Sequence, residues 1–176
     1  MTEISRFISS ILVLVILVSC VDVFALESTT EIVSRLQVLE DREEIRALLI
    51  EYGSALDERD FKRFSELFAK AGGEWSGGFG TAQGPAQIRK LMEKNIVPNP
   101  DAVSTPNIHI FNNEVIEVNG DRGNAVSKWM FVIQGEDGKP DWVYLGHYRD
   151  TLIREDGRWK FLQRRVTGDI PAAERR

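Results

Sequence analysis

The chain has one cysteine and two histidines among its 176 residues. A single cysteine excludes an internal disulfide, so the fold must draw its stability from a packed core. There is no His-x-x-x-His, no Cys-x-x-Cys and no dense carboxylate cluster at ligand spacing, so a metal centre is not expected. The glycine-rich stretch from Gly72 to Gly84 lacks the lysine of a phosphate-binding loop. No Gly-x-Ser-x-Gly elbow is present. Acidic residues outnumber basic ones, 27 to 22, for a net charge of −5. No basic stripe is left to neutralise phosphates, and the cations at Arg164, Arg165, Arg175 and Arg176 are too few for a nucleic-acid partner.

Long apolar runs are also scarce. The main one, Ile8 to Val18, is broken only by Ser9 and Ser10 and is too short for a confident membrane span. Arg6 precedes it and small residues follow, as in an export signal, so residues 1–25 are set apart from the fold. Two exits stay open. Val23-Phe24-Ala25 offers a cleavage site for signal peptidase. Leu17-Val18-Ser19-Cys20 has the form of a lipobox, in which Cys20 would be acylated. The expectation is an exported protein, periplasmic or secreted, touching a membrane only through such an anchor or an uncleaved signal.

What remains is ordinary globular material, 43% hydrophobic and 28% charged, enough for one domain. Ile32, Leu36 and Leu39 give residues 26–37 and their flank the character of a helical lead-in. Asp41 and Glu44 suggest a capped start to the next helix, with Ile45, Leu48, Leu49, Tyr52 and Leu56 on its apolar face. Asp57 stands at its end. Asp60 can cap a short helix carrying Phe61, Phe64, Leu67 and Phe68. Glu74 to Gly77 reads as a short strand followed by a turn. Pro85 opens a helix running to Asn95, and Pro98 to Asp101 is a loop.

The rest is β. Pro106–Val118, Asn124–Gln134, Trp142–Arg154 and Trp159–Thr167 alternate as strands, separated by turn signals at Asn119-Gly120-Asp121, Glu136-Asp137-Gly138 and Glu155-Asp156-Gly157. Helices first and strands afterwards predict an α+β fold with helices on one face of a curved antiparallel sheet. The tail, 169–176, is expected to be loose.

Period two places Asn107, His109, Phe111 and Asn113 on one strand face, and Tyr144, Gly146, Tyr148 and Asp150 on another. His147 falls on the opposite side. A carboxylate beside an imidazole fixes its tautomer and stabilises its protonated form, which makes a general base. Asp57 and His109 are the candidate pair. Tyr52, Trp75 and Tyr148 are candidates to orient a substrate oxygen. The plainer readings stay open: Asp57 as a turn residue between helices, and His109 as a hydrogen-bonded core residue.

From Val38 to Val166 the chain resembles the SnoaL-like group of the nuclear transport factor 2-like superfamily. The resemblance rests on Asp41-Arg-Glu-Glu-Ile-Arg46, Tyr52…Ala55-Leu-Asp57-Glu-Arg-Asp60-Phe61, Leu67-Phe68, Gly84…Ile88 and Gly146-His-Tyr148-Arg-Asp150…Arg154-Glu-Asp-Gly157-Arg-Trp159-Lys-Phe161. It implies a cone-shaped curved antiparallel sheet closed by N-terminal helices, the cystatin-like arrangement, over residues 38–168, and a dimer or trimer. Within the superfamily the chain looks most like the branch of scytalone dehydratase and lindane dehydrochlorinase, which use an Asp–His dyad without a cofactor. The aspartate of that dyad falls on Asp57 and the histidine on His109. The lindane enzyme's arginine falls on or near Arg154. Two departures are plain: His147 is out of register for the second histidine of scytalone dehydratase, and its active-site tyrosines have no matching segment.

The resulting expectation is a small-molecule cavity for a hydrophobic or aromatic ligand, with Asp57 and His109 catalytic and Tyr52, Trp75, Phe111, Tyr144, Tyr148 and Arg154 lining it. Cofactor-independent lyase or isomerase chemistry of the dehydratase kind follows, with a non-catalytic binding or oligomerisation module as the rival.

Overall fold

The computed structural model describes residues 2–96 and 106–171, with side chains from Thr29 onward. The side chains of the expected cleavage sites and of Cys20, and the loop at Pro98–Asp101, lie outside what is so described. Two compact units divide at Glu40 and Asp41.

The first unit is helical. Helix α1 spans Thr2–Asp57. No new helix starts at Asp41, contrary to the capping reading. Asp41 is buried, and its carboxylate takes the Arg154 guanidinium, so its role is an ion pair. In the first unit Ile32, Val33, Leu36 and Leu39 are exposed.

In the second unit the remainder of α1 turns Ile45, Leu49, Tyr52 and Ala55 into the core, the i, i+4, i+7 stripe expected of an amphipathic helix. The helix ends in a Schellman motif. The Asp60 amide donates to the Ala55 carbonyl at 2.9 Å and the Arg59 amide to that of Leu56 at 3.2 Å. Arg59 occupies the left-handed position, φ 59°, where glycine is usual. This tight stop fixes Asp57 in the last turn. Helix α2 (Phe61–Glu66) follows at once, and the Asp60 side chain caps it by accepting from the Arg63 amide at 2.9 Å.

Strands β1 (Glu74–Gly77) and β2 (Gly80–Gln83) form a hairpin, and α3 (Pro85–Asn95) packs Ile88 and Met92 inward. β2 falls where the sequence predicts a turn; with four residues, two of them Gly80 and Thr81, it carries no usable alternation. Four long strands complete the sheet: β3 (Asn107–Asn119), β4 (Arg122–Gln134), β5 (Pro140–Glu155) and β6 (Arg158–Ile170). β6 therefore takes in Asp169 and Ile170 of the supposed loose tail. The order is β2-β1-β6-β5-β4-β3. All pairs are antiparallel except β1 with β6, which is parallel. The sheet curls without closing. Its β5–β6 turn has both central residues left-handed, Asp156 at 51° and Gly157 at 74°, which matches strand twist.

Two bulges decide which side chains face inward. In β3 one extra residue lies between Asn112 and Val115, and Asn113 there has φ 52°. Asn113 thus leaves the face of His109 and Phe111 on which period two placed it. In β6, Leu162 is extra: Phe161 pairs with Leu152 while Gln163 pairs with Thr151. That slip turns Arg164 inward, opposite Asp150.

Candidate functional site

The end of α1 meets the start of β3 through one carboxylate. Asp57 Oδ1 lies 2.5 Å from His109 Nδ1. Asp57 Oδ2 accepts the His109 backbone amide at 2.8 Å, and Oδ1 also accepts Asn107 Nδ2 at 2.7 Å. Both oxygens thus act as acceptors, an arrangement that suits a carboxylate receiving the Nδ1 hydrogen of the imidazole. Nε2 is then the imidazole's basic nitrogen. The pair is largely enclosed, with 9% of the His109 side chain and 19% of that of Asp57 exposed.

Aromatic rings wall this pair. The His109 ring lies 4.7 Å from Phe131 and 6.4 Å from Trp129. Phe111 stacks on Tyr148 at 5.4 Å, and Trp129 lies 5.6 Å from Tyr148. Gly53 is what admits Phe111: a Cβ there would come within 2.5 Å of its ring and 3.4 Å of His109 Cβ. Tyr148 is buried, and burial above all pushes its phenol well above the ordinary range, with the charges of Asp150 and Asp57 adding to the effect. It stays a neutral O–H donor at any physiological pH.

Behind the wall sits a charge pair. Arg164 and Asp150 have no exposed side-chain surface and join by two hydrogen bonds, Nε to Oδ1 at 2.8 Å and Nη2 to Oδ2 at 2.7 Å. The guanidinium stacks over Tyr52, Phe161 and Tyr148 at 4.0, 4.1 and 4.2 Å. Burial pushes the Asp150 carboxyl up while Arg164 pulls it down. Among the described residues Arg164 Nη1, Ser127 Oγ and Trp129 Nε1 are buried without a hydrogen-bond partner. Sequence reading did not single out the Asp150–Arg164 pair or Trp129 as site residues. The bulge at Leu162 concealed Arg164, and Trp129 reads as ordinary core.

The other candidates divide. Tyr52 is buried and accepts Trp75 Nε1 at 2.9 Å, so the indole N–H of Trp75 is committed to Tyr52. Burial raises the Tyr52 phenol as well. Tyr144 pairs across the strand with Phe131 and is half exposed. Arg154 bonds to Asp41 and to Asp121 at 3.2 Å, faces Glu44 at 3.5 Å and covers the Trp159 ring at 4.7 Å. None of these partners belongs to the Asp57–His109 cluster, so Arg154 acts as an ion-pair node between α1 and the sheet. His147, on the other sheet face, meets Asp169 at 2.9 Å. Among the described residues no three His, Cys, Asp or Glu side chains converge where they could hold a metal ion.

With the geometry in hand, comparison with known proteins gives the family. The SnoaL-like domain matches residues 37–165. The chain belongs to the SnoaL-like family. Among solved structures, an NTF2-like protein with a cystatin-like fold from Novosphingobium aromaticivorans is 28% identical, covering 82% of this chain and 92% of its own, with a TM-score of 0.71. ActVI-ORFA from Streptomyces coelicolor is 22% identical over 73% of this chain and 96% of its own, TM-score 0.63. A candidate scytalone dehydratase from Novosphingobium aromaticivorans is 22% identical over 75% and 86%, TM-score 0.60. These last two share the fold with this SnoaL-like protein. No curated protein matches.

Proposed function

We propose that this SnoaL-like protein is a cofactor-independent lyase or isomerase, dehydratase-like, acting on a small hydrophobic or aromatic molecule. The observation that carries the reading is the 2.5 Å contact between Asp57 and His109 within a wall of aromatic rings. His109 Nε2 takes a proton from carbon next to a carbonyl, and the C–H electrons move into an enolate. Asp57 stabilises the imidazolium formed. Tyr148, held neutral, donates to the oxygen that gains charge. In a dehydration the β-hydroxyl then leaves with the proton from His109, as water. In an isomerisation that proton returns to another carbon. The candidate scytalone dehydratase of the same fold is consistent with this chemistry.

The test is turnover on a panel of aromatic β-hydroxy ketones. His109→Ala should lower kcat by about 10²–10⁴-fold with circular dichroism unchanged. Asp57→Asn should also lose activity, since an amide cannot stabilise imidazolium and favours the wrong tautomer. Activity surviving both changes would remove the pair from the mechanism. A wild type without turnover, in which panel ligands raise Tm equally in all three proteins, would make the protein a binding module.

Export belongs to the same proposal. The apolar run at Ile8 to Val18 motivates it. The intact mass of protein from its native host should lack residues 1–19 or 1–25. A full-length, unmodified chain in the cytosol would end that reading.

A further inference from the structure

We infer that Asn107 and Arg59 form a positioning relay that sets the proton affinity of His109 through Asp57. The inference rests on the Asp57–His109 reading above and extends it to residues with no assigned part in the chemistry.

Arg59 Nη1 donates to the Leu56 carbonyl at 2.6 Å, and Nη2 donates to Asn107 Oδ1 at 3.0 Å. Asn107 in turn gives its amide hydrogen to Asp57 Oδ1 at 2.7 Å. That is the oxygen facing the imidazole. The arginine fixes which way the asparagine amide points, because a guanidinium can meet only the carbonyl end. The amide nitrogen is thereby committed to the carboxylate. Asp57 Oδ1 divides its electron density between Asn107 and His109.

The backbone supports a purpose for this arrangement. Arg59 takes the left-handed φ of 59°, a position glycine fills without steric cost. Its guanidinium is part-buried, and burial lowers its proton affinity while Asp57 raises it. A cation is thus partly desolvated, on a backbone position that favours another residue, in order to face the support of Asp57. A helix stop alone needs neither.

The consequence has a sign. A cation at Arg59 disfavours a second one nearby, so the change expected on removing the Arg59 charge is easier protonation of His109. Among other titratable groups, Tyr148 from β5 interacts electrostatically with Asp57, and Tyr148 in turn with Tyr52 from α1, Asp150 from β5 and Arg164 from β6, while β4 presents the rings of Trp129 and Phe131 to His109. They are the same in every variant below and cancel in a difference.

The experiment is a histidine titration by NMR, which needs no substrate. Only His109 and His147 are present, so His147→Gln leaves one signal. In that background Arg59→Gln should raise the His109 pKa by about 0.5–1 unit, the size expected of one charge several ångströms away at intermediate dielectric. Arg59→Lys, which keeps the charge, should move it far less. Asn107→Ser, which breaks the bridge, should also move it upward. Arg59→Gly, suited to the backbone, carries the test should Arg59→Gln not fold. A merely structural relay would lower Tm and leave the titration in place. No shift or a downward shift in the Arg59→Gln and Asn107→Ser proteins overturns the relay, provided Asp57→Asn does shift His109. Asp57→Asn without effect would instead remove the Asp57–His109 pair itself, a separate failure.

Discussion

Replacing Arg164 with methionine should be among the most damaging single changes in the domain, and its cost should depend on pH. Both members of the Asp150–Arg164 pair are fully enclosed and share two short hydrogen bonds. Arg164→Met keeps much of the volume and the stacking on Tyr52, Tyr148 and Phe161 but strands the Asp150 carboxylate. Breaking a buried pair from one side costs about 3–5 kcal/mol. For a chain of this size that corresponds to a fall in Tm of roughly 6–20 °C. Burial already pushes the Asp150 carboxyl up, and Arg164 is what pulls it back. Without the arginine the folded-state value rises further above the unfolded one. A raised carboxyl contributes stability that is present at low pH and lost as pH climbs through the folded value. The variant should therefore lie nearer to wild type at pH 5 than at pH 8. The double change Asp150→Leu with Arg164→Met removes both charges and should recover most of the loss, since apolar replacements of buried pairs are often neutral or better. Urea titrations of the four proteins at both pH values, followed by circular dichroism, complete the cycle. A single-variant loss under about 1 kcal/mol, or a double variant as weak as the two singles added, would refute the assignment of this pair as a mutually dependent unit.

Gly146→Ala should destabilise by about 1–3 kcal/mol, because its Cβ would strike the Thr167 carbonyl oxygen and come within 2.8 Å of the Trp129 indole. The urea midpoint and the tryptophan emission should both move, and an unchanged midpoint would contradict the packing described. The phenols of Tyr52 and Tyr148 are raised above an ordinary value of 10.0, chiefly by burial. Their stability contribution is intact below that value and lost as pH climbs towards the folded ones. In a Tyr144→Phe background, phenolate absorbance should therefore appear only together with unfolding; reversible ionisation near pH 10 in the folded protein would show that the rings are not sealed.

The parts of this fold that were readable in the chain are those where period and packing agree. α2 follows from Asp60 and its phenylalanines, and the four long strands from alternation and their turns. Asp57 and His109 were legible as a pair because one ends a helix and the other lies within two residues of a strand start. The helix start expected at Asp41 is absent for a physical reason. An aspartate followed by glutamate three residues on has the form of a cap, but a long-range arginine can claim the same carboxylate, and Arg154 does. Arg164 was hidden by parity. Counting from Trp159 and Phe161 puts Gln163 inside and Arg164 outside, and only the extra residue at Leu162 reverses that. Bulges leave no signature in composition, so buried charges behind them are recovered only once strand register is known.

The parallel pairing of β1 with β6 has a consequence during synthesis. Gln163 Nε2 reaches Glu74 Oε1 across 89 residues of chain, and the Phe68 segment bridges to Phe161 in the same way. Until the final strand has been made, Phe68 lacks its Phe161 partner and the β1–β2 hairpin has no strand beside β1. At about 5–20 residues per second a ribosome needs roughly 4–18 s to cover that stretch. The nascent chain spends those seconds without the strand against which Phe68 and β1 are placed, within reach of holding chaperones and proteases. A transcript ending ahead of Arg158 should yield a product that is degraded rather than a smaller folded domain.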